Sequence, residues 1–288
     1  MKRLLMALLA LMLMMSGACA EVFYNVALPE DWTERTVMTI VMMDTDRTDA
    51  MLLMAGGEAM LVDGSTKKYV PVLEETLDRY GITELKYLFS THSDEDHIQG
   101  LKYLMMLEKY DVGMFTSPVK ETYVDQGGYH QPTVETIQRL GIPYHIVEDR
   151  EILTLGDATI EVLRCMEGWG HNARSACCRV TFGDCAILLT GDIDNRTMYH
   201  FAEKYPAEVL QAQVVKAPHH GLATMPEEFM QAVSPAVVMV NNKEKDAPKI
   251  KNNMKKYEGV ITLFSGEGQI LLETDGTDWY IFHQYEEE

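Results

Sequence analysis

The sequence predicts an α/β fold of two mixed β-sheets lying face to face, with helices on their outer sides. Three observations carry this. The chain has 288 residues, 47% hydrophobic and 24% charged, enough to bury a sizeable core and suited to one large α/β domain. Short apolar runs of strand length alternate with segments whose apolar residues recur at helical spacing. These alternations fall into two strand-rich halves, each carrying helices.

The elements follow in order. "VMTIVMM" (37–43), "AMLLMA" (50–55) and "AMLVD" (59–63) read as short strands. "VPVLEETLDRYG" (70–81) has helical spacing and a glycine stop. "LKYLFS" (85–90) is a buried strand, and "IQGLKYLMMLEKY" (98–110) and "TVETIQRLG" (133–141) are helices. Strand-like pieces follow at 143–148, 158–165, 176–182 and 185–192. A helix over Asn195–Lys204 leads to the strand "AQVVKAP" (212–218). A helix over Pro226–Val233, the strand "AVVMVN" (236–241) and a helix over Ile250–Tyr257 come next. The chain closes on a hairpin, 259–283, with turns at Gly266 and Gly276, and a frayed "EEE" tail. No linker, repeat or low-complexity segment interrupts residues 21–288, read as one domain.

The first twenty residues have a different logic. Lys2 and Arg3 precede an apolar run, Leu4–Met15, too short to span a bilayer comfortably. Small residues follow, ending in Ala18-Cys19-Ala20 before Glu21. This is the pattern of a secretory signal peptide over 1–20, so the protein is expected to be secreted or extracytoplasmic. The alternative is a lipoprotein signal with Cys19 as the lipid-bearing residue. No second stretch is long and apolar enough to span a membrane.

The formal net charge is −19. Losing the two basic residues of 1–20, which hold no acid, takes it to −21. Affinity for duplex nucleic acid rests largely on Lys and Arg meeting phosphates, so a long nucleic acid is a disfavoured partner. Of the cysteines, Cys165, Cys177, Cys178 and Cys185 remain after cleavage. Export permits oxidation, but sequence gives no pairing. Cys177 or Cys178 is better read as a small buried hydrophobe on the strand "SACCRVTF".

The chemistry gathers at strand ends. "STHSDEDHIQG" (90–100) follows the strand 85–90 and carries His92, Asp94, Asp96 and His97. His171, and His219 with His220, also follow strands. Side chains there project into the crevice where α/β folds bind ligands. Asp192 ends the apolar strand "AILLTGD". An unpaired buried carboxylate is costly and calls for a cation. Alone, an acidic turn is usually a solvated loop and a lone histidine a structural one, the reading given to His130, His145, His200 and His283. Together, His92, Asp94, Asp96, His97, His171, Asp192 and His219 or His220 supply the roughly six to eight N and O ligands that a two-metal site needs. Imidazole and carboxylate donors suit two divalent ions, Zn or Mn.

The same residues carry a resemblance. "THSDEDH" resembles the H-x-[HD]-x-D-H signature of the metallo-β-lactamase fold, and "LLTGD" followed by "KAPHHG" resembles the metallohydrolase domain of ComEC-type competence proteins and its stand-alone secreted relatives. "MMDTDRTDAMLL", "MLVDGS" and "GQILLETDGTDW" resemble further pieces of that branch, so the likeness runs from about Val37 to Trp279. It implies a four-layer αββα sandwich. It implies His92 on a first metal, Asp96 and His97 on a second, Asp192 bridging, and His219 or His220 completing the second. His171, in "GHNARS", matches the wider fold's G-H-x-x-x-S, with Asn172 as the competing assignment. Asp94 stands where the wider fold has a histidine, and either ligates the first metal or holds a water. Two departures stand out. The branch's D-V-G-Q-G-D is here Asp44 to Asp49 without its glycines, which suggests a reshaped loop at the cleft edge. The stretch "NNKEKDAPKIK" lacks the histidine usual there.

The expected activity is a metal-dependent hydrolase, with a phosphodiester as first choice because the branch resembles nucleases and phosphorylcholine esterases. Asp96 or Asp94 would orient the attacking water. Lys216 either pairs with an anionic substrate group or is a surface lysine at a strand end. A small or cell-wall-associated anionic substrate suits the net charge. The rivals are β-lactam or other ester or lactone hydrolysis, and a non-catalytic binding module that keeps the fold. Retention of both His97 and Asp192 speaks against the last.

Overall fold

The computed structural model describes residues 20–165 and 172–284. Residues 1–19 of the expected signal peptide, His171 and the acidic tail lie outside the described residues. The chain forms sixteen strands and seven α-helices among those described. The strands are β1 (Val22–Tyr24), β2 (Met38–Met42), β3 (Met51–Ala55), β4 (Glu58–Val62), β5 (Glu84–Phe89), β6 (Asp111–Ser117), β7 (Tyr144–Ile146) and β8 (Ile152–Leu155). They continue as β9 (Ala158–Arg164), β10 (Ala176–Phe182), β11 (Cys185–Leu189), β12 (Val214–Lys216), β13 (Val237–Val240), β14 (Ile261–Phe264), β15 (Ile270–Thr274) and β16 (Trp279–His283). The helices are α1 (Val70–Arg79), α2 (Glu95–Met106), α3 (His130–Leu140), α4 (Asn195–Lys204), α5 (Ala207–Leu210), α6 (Glu227–Val233) and α7 (Pro248–Met254).

One sheet runs β1-β16-β15-β2-β3-β4-β5-β6-β7 and the other β14-β13-β12-β11-β10-β9-β8. Each is mixed: β4 to β7 are parallel in the first, and β11 to β14 in the second. The four-layer αββα order follows from side-chain alternation. Successive strand residues point to opposite faces. In β2, Met38, Ile40 and Met42 enter the core between the sheets, while Val41 faces the helices. In β11, Ile187 and Leu189 enter the same core, while Leu188 faces the helices of its own side. Both faces are covered, so these strands are continuous apolar runs rather than alternating ones. Leu73 and Leu77 of α1, Ile98 and Leu101 of α2 and Ile137 of α3 cover the first sheet. Met198 and Phe201 of α4, Phe229 of α6 and Ile250 of α7 cover the second.

Four differences from the sequence reading bear on the site. Helix α2 starts at Glu95 rather than Ile98 and stops at Met106, before the positive φ of Glu108 (51°). Asp96 and His97 therefore sit in its first turn. Strand β6 is hidden in sequence by Asp111 and Gly113; the glycine lies so close to β5 that a Cβ would stand 2.9 Å from the Lys86 carbonyl oxygen. Short β1, β8 and α5 carry too little pattern to read. The terminal segment is not one hairpin: β14 belongs to the second sheet, and only β15 and β16 pair as a hairpin across Gly276.

Candidate metal centre

The site forms where the parallel strands end. The loops after β4, β5, β11 and β12 bring Asp63, His92 to His97, Asp192 and His219-His220 together, and the loop before β3 adds Asp49. Backbone hydrogen bonds lock these loops to the start of α2. Gly64 N–H donates to the His97 carbonyl (2.8 Å), Gly100 N–H to the Ser65 carbonyl (2.8 Å) and Asp49 N–H to the Asp96 carbonyl (3.2 Å). The approach is close enough that a Cβ on Gly100 would lie 1.7 Å from the Gly64 oxygen.

Asp94 is the N-cap of α2, yet its side chain makes no capping bond. It turns instead toward His92, with Oδ2 3.5 Å from Nε2. Thr91 explains the histidine's orientation. Its hydroxyl donates to Asp63 Oδ2 (2.7 Å), so it accepts from His92 Nδ1 (3.1 Å) and leaves Nε2 aimed at Asp94.

His97 is oriented the same way. Nδ1 donates to Asp63 Oδ2 (2.8 Å), and Nε2 points to Asp192 Oδ2 (3.3 Å) and Asp96 Oδ1 (3.9 Å). His219 and His220 are placed differently. His220 is buried, with Nε2 3.2 Å from both Asp96 Oδ2 and Asp192 Oδ2. His219 is 37% exposed at its side chain, and its Nε2 stands 3.8 Å from Asp192 Oδ2. Both adopt left-handed backbone (φ 51° and 52°), an unfavourable conformation for non-glycine residues and a mark of functional turns.

Sequence reasoning missed Asp49 and Asp63. Asp63 ends an apolar strand as Asp192 does, and that signal could have found it. Asp49 had only a weak one, the last letter of the Asp44–Asp49 stretch. That loop keeps its turn without glycines: Asp46 takes the left-handed position (φ 52°), which aspartate tolerates, and Thr45 and Thr48 hydroxyls donate to each other's carbonyls (3.0 and 2.7 Å). The turn delivers Asp49 Oδ1 to His220 Nδ1 (3.1 Å).

Lys216 overturns both readings made of it. It has no exposed surface, so it neither lines the cleft nor lies at the surface. Its Nζ contacts Asp49 Oδ2, donates to the Gly191 carbonyl (2.8 Å) and lies 3.5 Å from Asp192 Oδ1. It is the internal counter-charge of the acids beneath the site.

The electrostatics are those of a cluster holding opposite charges out of water. Burial alone would lower the His97 pKa; Asp192, Asp63 and Asp49 outweigh it and hold the imidazole well above its usual value. The same contest, with Asp192 and Asp49, takes His220 up to about 10. Burial opposes the Asp192 and Asp49 carboxylates, yet His220 and His97, and for Asp49 first Lys216, hold both well below the usual range. His219, with burial dominant, is lowered.

The donor chemistry fits a divalent ion. Asp49, His97, Asp192 and His220 offer buried atoms within 4.8 Å of one another. Within that group Asp49 faces Nδ1 of both histidines (3.8 and 3.1 Å), the side away from Nε2. Its role is to orient, as outer carboxylates do for metal-ligating histidines. Asp96 takes its place in the set facing Nε2. Nε2 of His97, Nε2 of His220 and Oδ1 of Asp192 are buried without a well-directed hydrogen bond, which a buried polar atom normally finds. Cys165, Cys177, Cys178 and Cys185 are buried free thiols.

A cleft of about 690 Å³ opens beside the cluster, lined by Asp94, Glu95, Asp96, Asp125, Tyr129 and Arg174 among others. A second, of about 410 Å³, begins at His92. No helix among the described residues is long and apolar enough to cross a membrane.

Comparison with known proteins agrees with the geometry. The ComE operon protein 3 of Bacillus subtilis is 25% identical over 211 residues, covering 71% of this chain and 25% of that protein, so the chain spans about a quarter of its relative. Among solved structures, the metallo-β-lactamase fold protein YhfI of Bacillus subtilis superposes with a TM-score of 0.56 at 13% identity, covering 83% of this chain and all (100%) of that one. CmlA, a diiron β-hydroxylase from Streptomyces venezuelae, gives 0.53 at 16% identity, covering 83% of this chain and 53% of that one. These likenesses establish the fold. The sequence model of the metallo-β-lactamase superfamily matches residues 43–232, and the chain belongs to that superfamily.

Proposed function

We propose that the protein is an exported hydrolase that cleaves a small or wall-associated phosphodiester with the help of two divalent ions, Zn or Mn. The observation that carries this reading is the convergence of His97 Nε2 (3.3 Å) and His220 Nε2 (3.2 Å) on Asp192 Oδ2, beside a cleft lined by Asp94 and Asp96. His92, Asp94, His171 and Asp192 would hold the first ion. Asp96, His97, His220 and the shared Asp192 would hold the second.

Bound there, the ions supply Lewis acidity and make a water acidic enough to serve as nucleophile near neutral pH. The chain's own groups do the rest. Asp63 keeps the imidazole proton on Nδ1 of His97, and Asp49 faces Nδ1 of His220 at 3.1 Å, so that Nε2 of each ring is turned to the site as the donor. Asp94 and Asp96, 38% and 35% exposed at their side chains, reach the cleft and orient the attacking water. Lys216 offsets Asp49 and Asp192 from below. Asp94, where the wider fold has a histidine, favours the phosphodiester over the β-lactam reading. Export rests on the pattern of residues 1–20, and the net charge of −19 favours a compact substrate over a long nucleic acid.

The test is metal content and hydrolysis, comparing wild type with Asp192→Ala. Wild type should purify with Zn or Mn and cleave bis-p-nitrophenyl phosphate in preference to a chromogenic cephalosporin. A wild-type protein that takes up no metal and leaves both untouched would end the enzyme reading.

A further inference from the structure

Beside His92 the cleft changes sign. On the other side of the cluster its wall is mainly acidic, built from Asp94, Glu95, Asp96 and Asp125, with Arg174 at the boundary that lines both pockets. The pocket of about 410 Å³ that starts at His92 is instead lined by Lys120, Arg164 and Arg174, with Tyr123 and Cys165. Among the described residues none of these three cations forms an ion pair, although the chain is strongly acidic.

Arg164 is the anomaly. It is only 7% exposed, at the end of β9. Its guanidinium is fixed by backbone carbonyls alone, Nη2 donating to Pro118 (3.0 Å) and Nη1 to Val147. Its Nε is buried without a hydrogen bond. Burial is the largest influence on this charge and opposes it; Glu148, Asp149 and Glu151 offset only part of that cost. On the pocket side, the lining among the described residues adds two more cations, Lys120 and Arg174, and no acid.

We propose that this pocket is a subsite for a second phosphate, a phosphomonoester carried by the substrate next to the bond that is cleaved. The Arg174 fork and the Lys120 ammonium suit a dianion, since the planar fork matches phosphate geometry and the ammonium adds a point charge, while Arg164, its Nη groups held by backbone carbonyls, adds positive charge behind them. The acidic wall repels such a group, so polarity fixes one orientation: the scissile diester at the cluster and the extra phosphate on the His92 side. The inference rests on the cluster being the catalytic centre.

The probes are thymidine 5′-(p-nitrophenyl phosphate) and the same diester bearing a 3′-phosphate, assayed on the metal-loaded full chain. The 3′-phosphate should lower KM at least about 10-fold, the worth of one hydrogen bond to a charged group. Arg174→Gln with Lys120→Gln, both at exposed residues, should reduce that preference to within about 3-fold. Arg164 also braces two loops, so it is not the variant of choice. Calorimetry with thymidine 3′,5′-bisphosphate against thymidine 5′-phosphate reads the same preference without chemistry. Tighter bisphosphate binding that disappears in the double variant upholds the subsite even if no diester is cleaved, in which case only the catalytic reading falls. Equal affinity for the two probes, or a preference that survives the double variant, overturns the subsite.

Discussion

Replacing Lys216 by Met should destabilise the metal-free protein and tighten its grip on metal. The ammonium is fully buried, contacts Asp49, lies 3.5 Å from Asp192 Oδ1 and donates to the Gly191 carbonyl at 2.8 Å. Methionine fills similar volume but strands two carboxylates and a carbonyl. Removing one partner of a buried ion pair costs about 3–5 kcal/mol. For a chain of this size that is a fall on the order of 10 °C in midpoint. Divalent ions bring their own positive charge to the same acids, so the loaded protein should lose less, and by linkage its affinity for metal should rise. The pH dependence has a definite sign. Asp49 has its folded pKa depressed against the opposing effect of burial, and Lys216 is the largest attractive cause. Its ionised form therefore contributes stability above the unfolded value near 4, and that contribution fades as pH falls through the folded value. The gap between wild type and variant should be widest near neutrality and narrow in acid. Urea unfolding of metal-free and loaded protein between pH 4 and 8, with a competitive chelator for affinity, measures all of it. A loss under about 1 kcal/mol in the metal-free state, or weaker metal binding in the variant, would show that Lys216 is not the counter-charge of the site.

Other outcomes follow from the same geometry. Asp63→Asn removes the acceptor of the His97 Nδ1 proton and should weaken metal binding by about 10- to 100-fold, read by chelator competition. His220→Ala should abolish the second ion while His219→Ala keeps it, read as metal stoichiometry by elemental analysis. His220 has its pKa raised to about 10 in the metal-free state, so its protonated form stabilises that state below about 6.5 and the benefit is lost as pH rises through about 10. Metal uptake at pH 7 should therefore release protons from His220 and His97, and the His220 release should vanish above pH 10, as followed with an indicator dye. Gly100→Ala places a methyl against the Gly64 carbonyl and should cost about 1–3 kcal/mol or more while lowering metal occupancy, because the same contact seats the first turn of α2.

The sequence marked residues whose local setting announces them, and it missed those whose partners arrive from elsewhere in the fold. His92, Asp94, Asp96 and His97 lie in one loop behind a buried strand, and Asp192 ends another, so their spacing was legible. The difference between His219 and His220 was not, because neighbouring residues share every sequence signal; the left-handed turn buries the His220 ring and leaves that of His219 partly exposed. The start of α2 was misplaced at the first apolar residue because Asp94, although it stands at the N-cap, turns its carboxylate to the site instead of capping the helix. Where a local rule is broken in this way, the residue is engaged in something else.

Asp49 and Lys216 make the same point at longer range. Lys216 ends a short strand and Asp49 precedes another in the opposite sheet. Read singly, one is a surface lysine and the other a loop acid. Folding brings them into contact beneath Asp192, where each removes the other's cost of burial. His97 then donates Nδ1–H to Asp63, His220 faces Asp49 with Nδ1 at 3.1 Å, and both rings present Nε2 to Asp192. A metal centre built this way separates two tasks by layer: the upper residues offer donors, and the lower ones decide which atom of each donor is offered. The H-x-[HD]-x-D-H motif records only the upper layer, so two proteins that share it can still differ in metal affinity through residues such as Asp49, Asp63 and Lys216 that lie outside it.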